Sequence, residues 1–204
     1  MPVVVVANPK GGVGKSTLST NVAGYFASKG FNVMLGDADR QQSSRLWLGL
    51  RPPTARLIRS WEVGENRLAK PPKGTTHVVL DTPAGLEKAQ MKDVLRHADK
   101  VIVPLQPSVF DIFATRTFLD KIRAHSHPGM QVGIVGMRVD GRTLAAEKLR
   151  GFVESLGVPV LGYLRDTQNY IHLAAHGLTL FDVAPSRVEK DLAQWQDICR
   201  WLDA

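Results

Sequence analysis

The stretch "VVVVANPKGGVGKST", residues 3–17, decides the fold. Four consecutive valines make a β-branched run that suits a strand buried on both faces. The run empties into Gly11, Gly12 and Gly14, and a helical pattern opens at Lys15-Ser16-Thr17. Glycines in such a loop let backbone N–H groups ring phosphate oxygens, and the helix N-terminus adds its partial positive charge. In that setting Lys15 reaches the β- and γ-phosphates, the Ser16 hydroxyl ligates Mg²⁺ and Thr17 donates to an α-phosphate oxygen. The usual loop is G-x-x-x-x-G-K-[ST], but Pro9 stands where its first glycine belongs. The pattern is instead K-G-G-x-G-K-[ST], with Lys10 at its head. One lysine beside phosphates is easily explained; two need a further reason.

Outward from the loop, strand-length apolar runs alternate with helical patterns. Val3 to Ala7, Asn32 to Asp37, His77 to Asp81, Lys100 to Leu105, Gln131 to Val139 and Val158 to Tyr163 read as strands. Lys15 to Lys29, Leu86 to His97, Phe110 to His125, Thr143 to Leu156 and Ser186 to Leu202 read as helices. This order predicts an α/β fold of the P-loop NTPase (Rossmann-like) kind, a mostly parallel sheet with helices on both faces. Ligands in such sheets sit outside the carboxyl ends of the strands. The segment from about 50 to 76, punctuated by Pro52-Pro53, Pro71-Pro72 and Gly74, reads as a loop-rich excursion within one domain spanning 1–204.

With 204 residues the chain is long enough to bury a core of its own. No apolar stretch approaches the roughly 18 residues that span a bilayer, and the N-terminus lacks the marks of a signal peptide. The single cysteine, Cys199, excludes an internal disulfide and cysteine-rich metal sites, and favours a cytoplasmic protein. The formal charge of +7 is uneven. Residues 40–76 hold eight basic side chains against Glu62 and Glu65, whereas Tyr163 to Ala204 holds four basic against six acidic. A positive patch suits nucleic acid or an anionic membrane surface, or is simply a solvated basic face.

The variant loop resembles that of the ParA/MinD family, the deviant Walker-A ATPases. The resemblance implies ATP and Mg²⁺ as ligands and a phosphate cradle formed by Lys10, Gly11, Gly12, Val13, Gly14, Lys15, Ser16 and Thr17. It also implies that Lys10 crosses the interface of a face-to-face homodimer to touch the other subunit's phosphates. Charge logic agrees, since a cation delivered by dimerisation stabilises the transferring phosphoryl group.

The rest of the match spans nearly the whole chain. "GDADRQQSS" (36–44) is similar to the family's D-x-D-P-Q segment, which makes Asp39 the residue that positions the attacking water, and Asp37 and Asp39 supports of the Mg²⁺ shell. "HVVLDTPAG" (77–85) resembles Walker B and delivers Asp81 to the metal's waters. Met137-Arg138 stand where relatives carry Asn-Arg beside the base. A methionine offers no amide contacts, so backbone groups of Asp182, Val183, Ala184 and Pro185, which resemble the base-covering loop, are expected to assist.

By resemblance the protein is a short ParA-type ATPase that binds DNA without sequence preference and positions cargo. A ParB-like or cargo-adaptor partner triggers hydrolysis, and the protein is associated with the nucleoid. The same resemblance places DNA contacts at Arg165, Arg187 and Lys190, whereas local charge points to Arg40 through Lys73. Two rivals stay open: a MinD-like membrane-cycling regulator and a biosynthetic ligase of the dethiobiotin synthetase type. The first wants a basic amphipathic tail, which "DICRWLDA" is not; the second has no counterpart of Lys10. The last helix, with Val188, Leu192, Trp195, Ile198 and Leu202 along one stripe, is expected to pack on the sheet. His172 and His176, four apart, lack an evident third metal ligand and suit a helix C-terminus.

Overall fold

The valine run needs cover on both sides, and the fold provides it. A computed structural model describes residues 1–62, 70–86 and 88–204. Strands β1 (Val3–Val6), β2 (Val33–Asp37), β3 (Ile58–Trp61), β4 (His77–Asp81), β5 (Lys100–Leu105), β6 (Gln131–Gly136) and β7 (Val160–Tyr163) form one sheet. Its order is β3-β2-β4-β1-β5-β6-β7, and every pairing is parallel. Helices α1 (Lys15–Ser28), α2 (Ser43–Leu50), α3 (Lys88–His97), α4 (Val109–Arg123), α5 (Leu144–Glu154), α6 (Gln168–Ala175) and α7 (Glu189–Asp203) connect and cover it.

Side chains alternate across a strand, so the four valines serve two cores. Val4 and Val6 join Leu18, Phe26, Trp47 and Trp195 under α1, α2 and α7. Val3 and Val5 join Leu95, Leu119, Ile122 and Leu149 under α3, α4 and α5. Gly24 is required where α1 meets the Thr179 turn, because a Cβ there would overlap the Thr179 side chain. The apolar stripe of α7 packs inward as expected, with Trp195 1% and Ile198 0% exposed.

β1 lies between β4 and β5, so the chain leaves it in one direction for β2 and later returns to its other side. The crevice at such a reversal is where ligands bind in open α/β sheets. The glycine loop follows β1 directly and sits there.

Three elements depart from the expectations. Helix α2 and strand β3 occupy sequence that carries no local signal for them, β3 lying inside the expected loop-rich excursion. β3 shows no alternation: Ile58 and Trp61 are buried while Arg59 and Ser60 face solvent. Helix α6 is a further addition, and it has no fully buried residue to print a periodic stripe. The part of the excursion holding Arg67 lies outside the described residues. β6 also ends at Gly136, before the expected Val139, because Arg138 turns into the left-handed region at φ 53°.

Candidate nucleotide-binding site

The loop is held open by its own polar groups. Asn8 donates from Nδ2 to the Pro104 carbonyl at 2.7 Å and accepts the Lys10 amide on Oδ1 at 2.8 Å. Gln106 Nε2 donates to the Gly12 carbonyl at 3.0 Å. Gly14 caps α1 in the left-handed region, at φ 94°, and a Cβ there would stand 2.7 Å from Met137 Cε. Only glycine meets both demands. The α1 N-terminus begins at once, with the Leu18 amide donating to the Gly14 carbonyl. α1 has no acidic residue in its first turn and no side-chain cap, which leaves its positive end to a bound anion.

Lys15 is 7% exposed, and its Nζ donates to the carbonyl of Lys10 at 2.7 Å. Burial lowers its pKa, while Asp81 and Asp39 act in the opposite sense. Lys10 is half-buried at the head of the loop.

Asp81 ends β4 and is 1% exposed. Its Oδ1 accepts the Ser19 hydroxyl at 3.2 Å and its Oδ2 the Ser44 hydroxyl at 2.6 Å. Burial pushes its pKa up to about 6, against the opposing hydrogen bonds of Ser16, Ser44 and Ser19. A buried carboxylate so destabilised in its charged form is one that a divalent cation would stabilise. Hard oxygen donors from Asp81 and Ser16 fit Mg²⁺, which keeps several waters and does not need a cage of protein ligands. Among the described residues no three His, Cys, Asp or Glu side chains form such a cage.

Asp37 has a second occupation that the sequence does not reveal. Its Oδ1 accepts the Asp39 amide at 2.9 Å, and its Oδ2 accepts the amides of Ser44 and Arg45 at 2.8 and 3.1 Å. Both oxygens are therefore engaged in folding the segment that carries Asp39. Asp39 itself accepts the Gln41 amide on Oδ1 at 3.0 Å.

A pocket of ≈ 280 Å³ opens from Gly14 and Thr17 past Met137 and Arg138 to Arg165 and Tyr170. Met137 and Arg138 thus share one pocket with the glycine loop. Asp182, Val183, Ala184 and Pro185 do not line this pocket. Asp182 caps the Thr179 turn and takes both Nη groups of Arg51, at 3.0 and 2.7 Å, in a buried ion pair. Residues 164–167 and α6 form the far wall of the pocket. Arg165 is fastened into it, its Nε donating at 2.6 Å to the fully buried Asp191. Asn169 Nδ2 donates to the other oxygen of Asp191, and Gln194 Oε1 accepts the Arg165 amide at 2.9 Å.

Arg165 lines this pocket with its side chain 39% exposed, while Arg187 and Lys190 are exposed. Arg51 is not part of a free basic surface, being paired with Asp182. Arg40, Arg45, Arg56 and Arg59 are exposed. Sequence reasoning did not single out Asn8, Ser19, Ser44 or Gln106. Each acts through a partner distant in sequence or through loop geometry, so no local pattern marks it.

Residues 4–180 match the model of the CobQ/CobB/MinD/ParA nucleotide-binding domain. The Maintenance of carboxysome distribution protein A of Halothiobacillus neapolitanus is 28% identical over 190 residues, covering 88% of this chain and 87% of that protein. The MinC:MinD cell division complex of Aquifex aeolicus contains a chain of the same fold. It superposes with a TM-score of 0.77 at 18% identity, over 99% of this chain and 95% of that one. The Cyanothece McdA(D38A)–ATP complex gives a TM-score of 0.75 at 15% identity, over 97% and 96%.

Proposed function

The chain belongs to the CobQ/CobB/MinD/ParA nucleotide-binding family, and from that premise we propose a Mg²⁺-dependent, ParA-type cycle for this ATPase. ATP draws two copies into a face-to-face dimer, the dimer holds DNA without sequence preference, and a partner protein triggers hydrolysis and release. The observation that carries the reading is the two-lysine loop. Lys15 turns inward to the Lys10 carbonyl beside Asp81 and Asp39, which leaves Lys10 at the loop's head as a second cation with a role to explain.

Within that reading Gly12, Gly14, Lys15, Ser16 and Thr17 hold the phosphates. Ser16 and Asp81 hold Mg²⁺ and its waters, with Asp37 bracing the segment. Mg²⁺, when bound, offsets charge on the phosphates. Asp39 orients the attacking water, and Lys10 from the other subunit stabilises the charge of the transferring phosphoryl group. Met137 and Arg138 flank the base, and the 164–167 wall with Arg165 takes the covering role that the sequence assigns to 182–185. DNA contacts then rest on Arg187 and Lys190, with the exposed arginines of 40–59 adding long-range attraction. The relative named for maintaining carboxysome distribution supports a large protein assembly as cargo; in this reading the nucleoid is the surface along which it is moved.

The membrane-cycling alternative finds less support. The C-terminal stretch "DICRWLDA" carries one basic residue against two acidic ones, which does not favour an anionic surface. The end of α7 is also fastened down: Lys100 Nζ donates to the carbonyls of Trp201 and Leu202 at 2.7 and 2.9 Å. Co-sedimentation with DNA and with anionic liposomes, each with and without ATP, tests the choice. ATP-dependent pelleting with DNA alone is expected; pelleting with liposomes alone would replace this reading with the membrane one.

A further inference from the structure

Resting on the ATPase reading above, we propose that Ser44 is a positioning residue that couples the carboxylate of Asp81 to helix α2. A helix N-terminus is ordinarily satisfied by its own capping residue. At α2 that residue, Gln42, lies in the left-handed region at φ 50° and makes no side-chain cap. The first amides of α2 go instead to Asp37, and the Ser44 hydroxyl goes to Asp81 Oδ2 at 2.6 Å. The start of this helix is therefore hung on two carboxylates of the nucleotide site, from the ends of two neighbouring strands.

Burial makes the Ser44 bond consequential. Ser44 is 0% exposed and Asp81 1%, so neither group can turn to bulk water when the other moves. The Ser44 hydroxyl donates to an oxygen whose lone pairs a cation's water shell also needs. A change in demand at Asp81 is thus felt at the first turn of α2. The opposite side of α2 carries Arg45, Leu46 and Leu50 in solvent, the two leucines 68% and 57% exposed. Movement at Ser44 accordingly alters a surface remote from the phosphates. A hydroxyl that merely filled the core would stabilise the fold without linking α2 to the metal.

Trp47 reports on this helix. It sits one turn after Ser44, is 5% exposed, and has the Arg51 guanidinium 5.3 Å from its ring. The experiment titrates MgCl₂ into the full-length chain with ATP and EDTA-treated buffer, following tryptophan emission. Trp47→Phe identifies the part of the signal that belongs to α2, and calorimetry on the same samples measures ATP binding. The expected result is a Mg²⁺-dependent Trp47 response in the parent, lost in Ser44→Ala and kept in Ser44→Thr, with ATP binding present in all three. A response that survives in Ser44→Ala overturns the coupling, as does its absence in a parent that binds Mg²⁺-ATP. Its loss in a Ser44→Thr protein that melts like the parent does so too. A parent that binds no ATP in calorimetry removes the ATPase reading itself, and the coupling with it.

Discussion

The two lysines of the loop are joined: the Nζ of Lys15 donates to the carbonyl oxygen of Lys10 at 2.7 Å. That bond satisfies a buried ammonium and sets the curvature of the loop between them. A phosphate oxygen at the same place would compete for Lys15 and leave the backbone of Lys10 to readjust. Lys15→Ala removes the buried charge together with this bond. Charge-assisted bonds are worth about 2–3 kcal/mol, so ATP affinity should fall by roughly 30–150-fold or more. Calorimetry measures it, and undiminished binding would sink the phosphate-loop assignment.

Arg51 and Asp182 form a buried pair, with side-chain exposures of 6% and 4%, that ties the end of α2 to the turn after α6. Removing one partner leaves an uncompensated charge, which costs about 3–5 kcal/mol. Arg51→Ala should therefore lower the melting temperature by roughly 10 °C in a chain of this length. Scanning calorimetry checks it, and a variant that melts like the parent would show the pair to be incidental.

His77 stacks on Phe31 with ring centroids 4.0 Å apart and lies 4.4 Å from Phe26. Burial lowers its pKa; the N-terminal amine, Lys29 and Lys100 reinforce the shift, and Asp203 opposes it. The unfolded chain takes a proton at the ordinary value near 6.5, before the folded one does. His77 thus makes no pH-dependent contribution well above 6.5 and weakens the fold as pH falls through and below it. Asp81, raised to about 6, acts in the opposite sense, so the comparison must be between variants. The difference in melting temperature between His77→Phe and the parent should be constant near pH 7.5 and shift in the variant's favour as pH falls to 5.5. Parallel curves would contradict the shift.

Arg187 and Lys190 are exposed, whereas Arg165 is fastened to Asp191 at the pocket wall. Arg187→Ala/Lys190→Ala should lower the log–log salt slope of DNA binding by roughly 1 per lost phosphate contact while ATP binding persists. Arg165→Ala should instead weaken ATP binding. If Arg165→Ala loses only DNA affinity, the pocket-side assignment of Arg165 fails.

The sequence revealed most where local pattern and tertiary demand coincide. The valine run, the glycine loop and β4 delivering Asp81 are of that kind, because strands buried on both faces print continuous apolar runs. Helix α2 was hidden because its cap is Asp37, seven residues before Ser44, and not a residue at its own end. Strand β3 was hidden by its exposed central Arg59 and Ser60, and α6 by the lack of any buried stripe. The Arg51–Asp182 pair was hidden for a related reason, because its two members stand 131 positions apart.

If Lys10 acts across a dimer, its loss must change the mass of the nucleotide-bound species. Static light scattering of the parent and of Lys10→Ala, each with saturating Mg²⁺-ATP confirmed by calorimetry, gives the mass of the nucleotide-bound species. The parent should double in mass and Lys10→Ala should stay at the mass of one chain while still binding ATP. A Lys10→Ala protein that doubles like the parent and hydrolyses ATP at the parent's rate would contradict the claim.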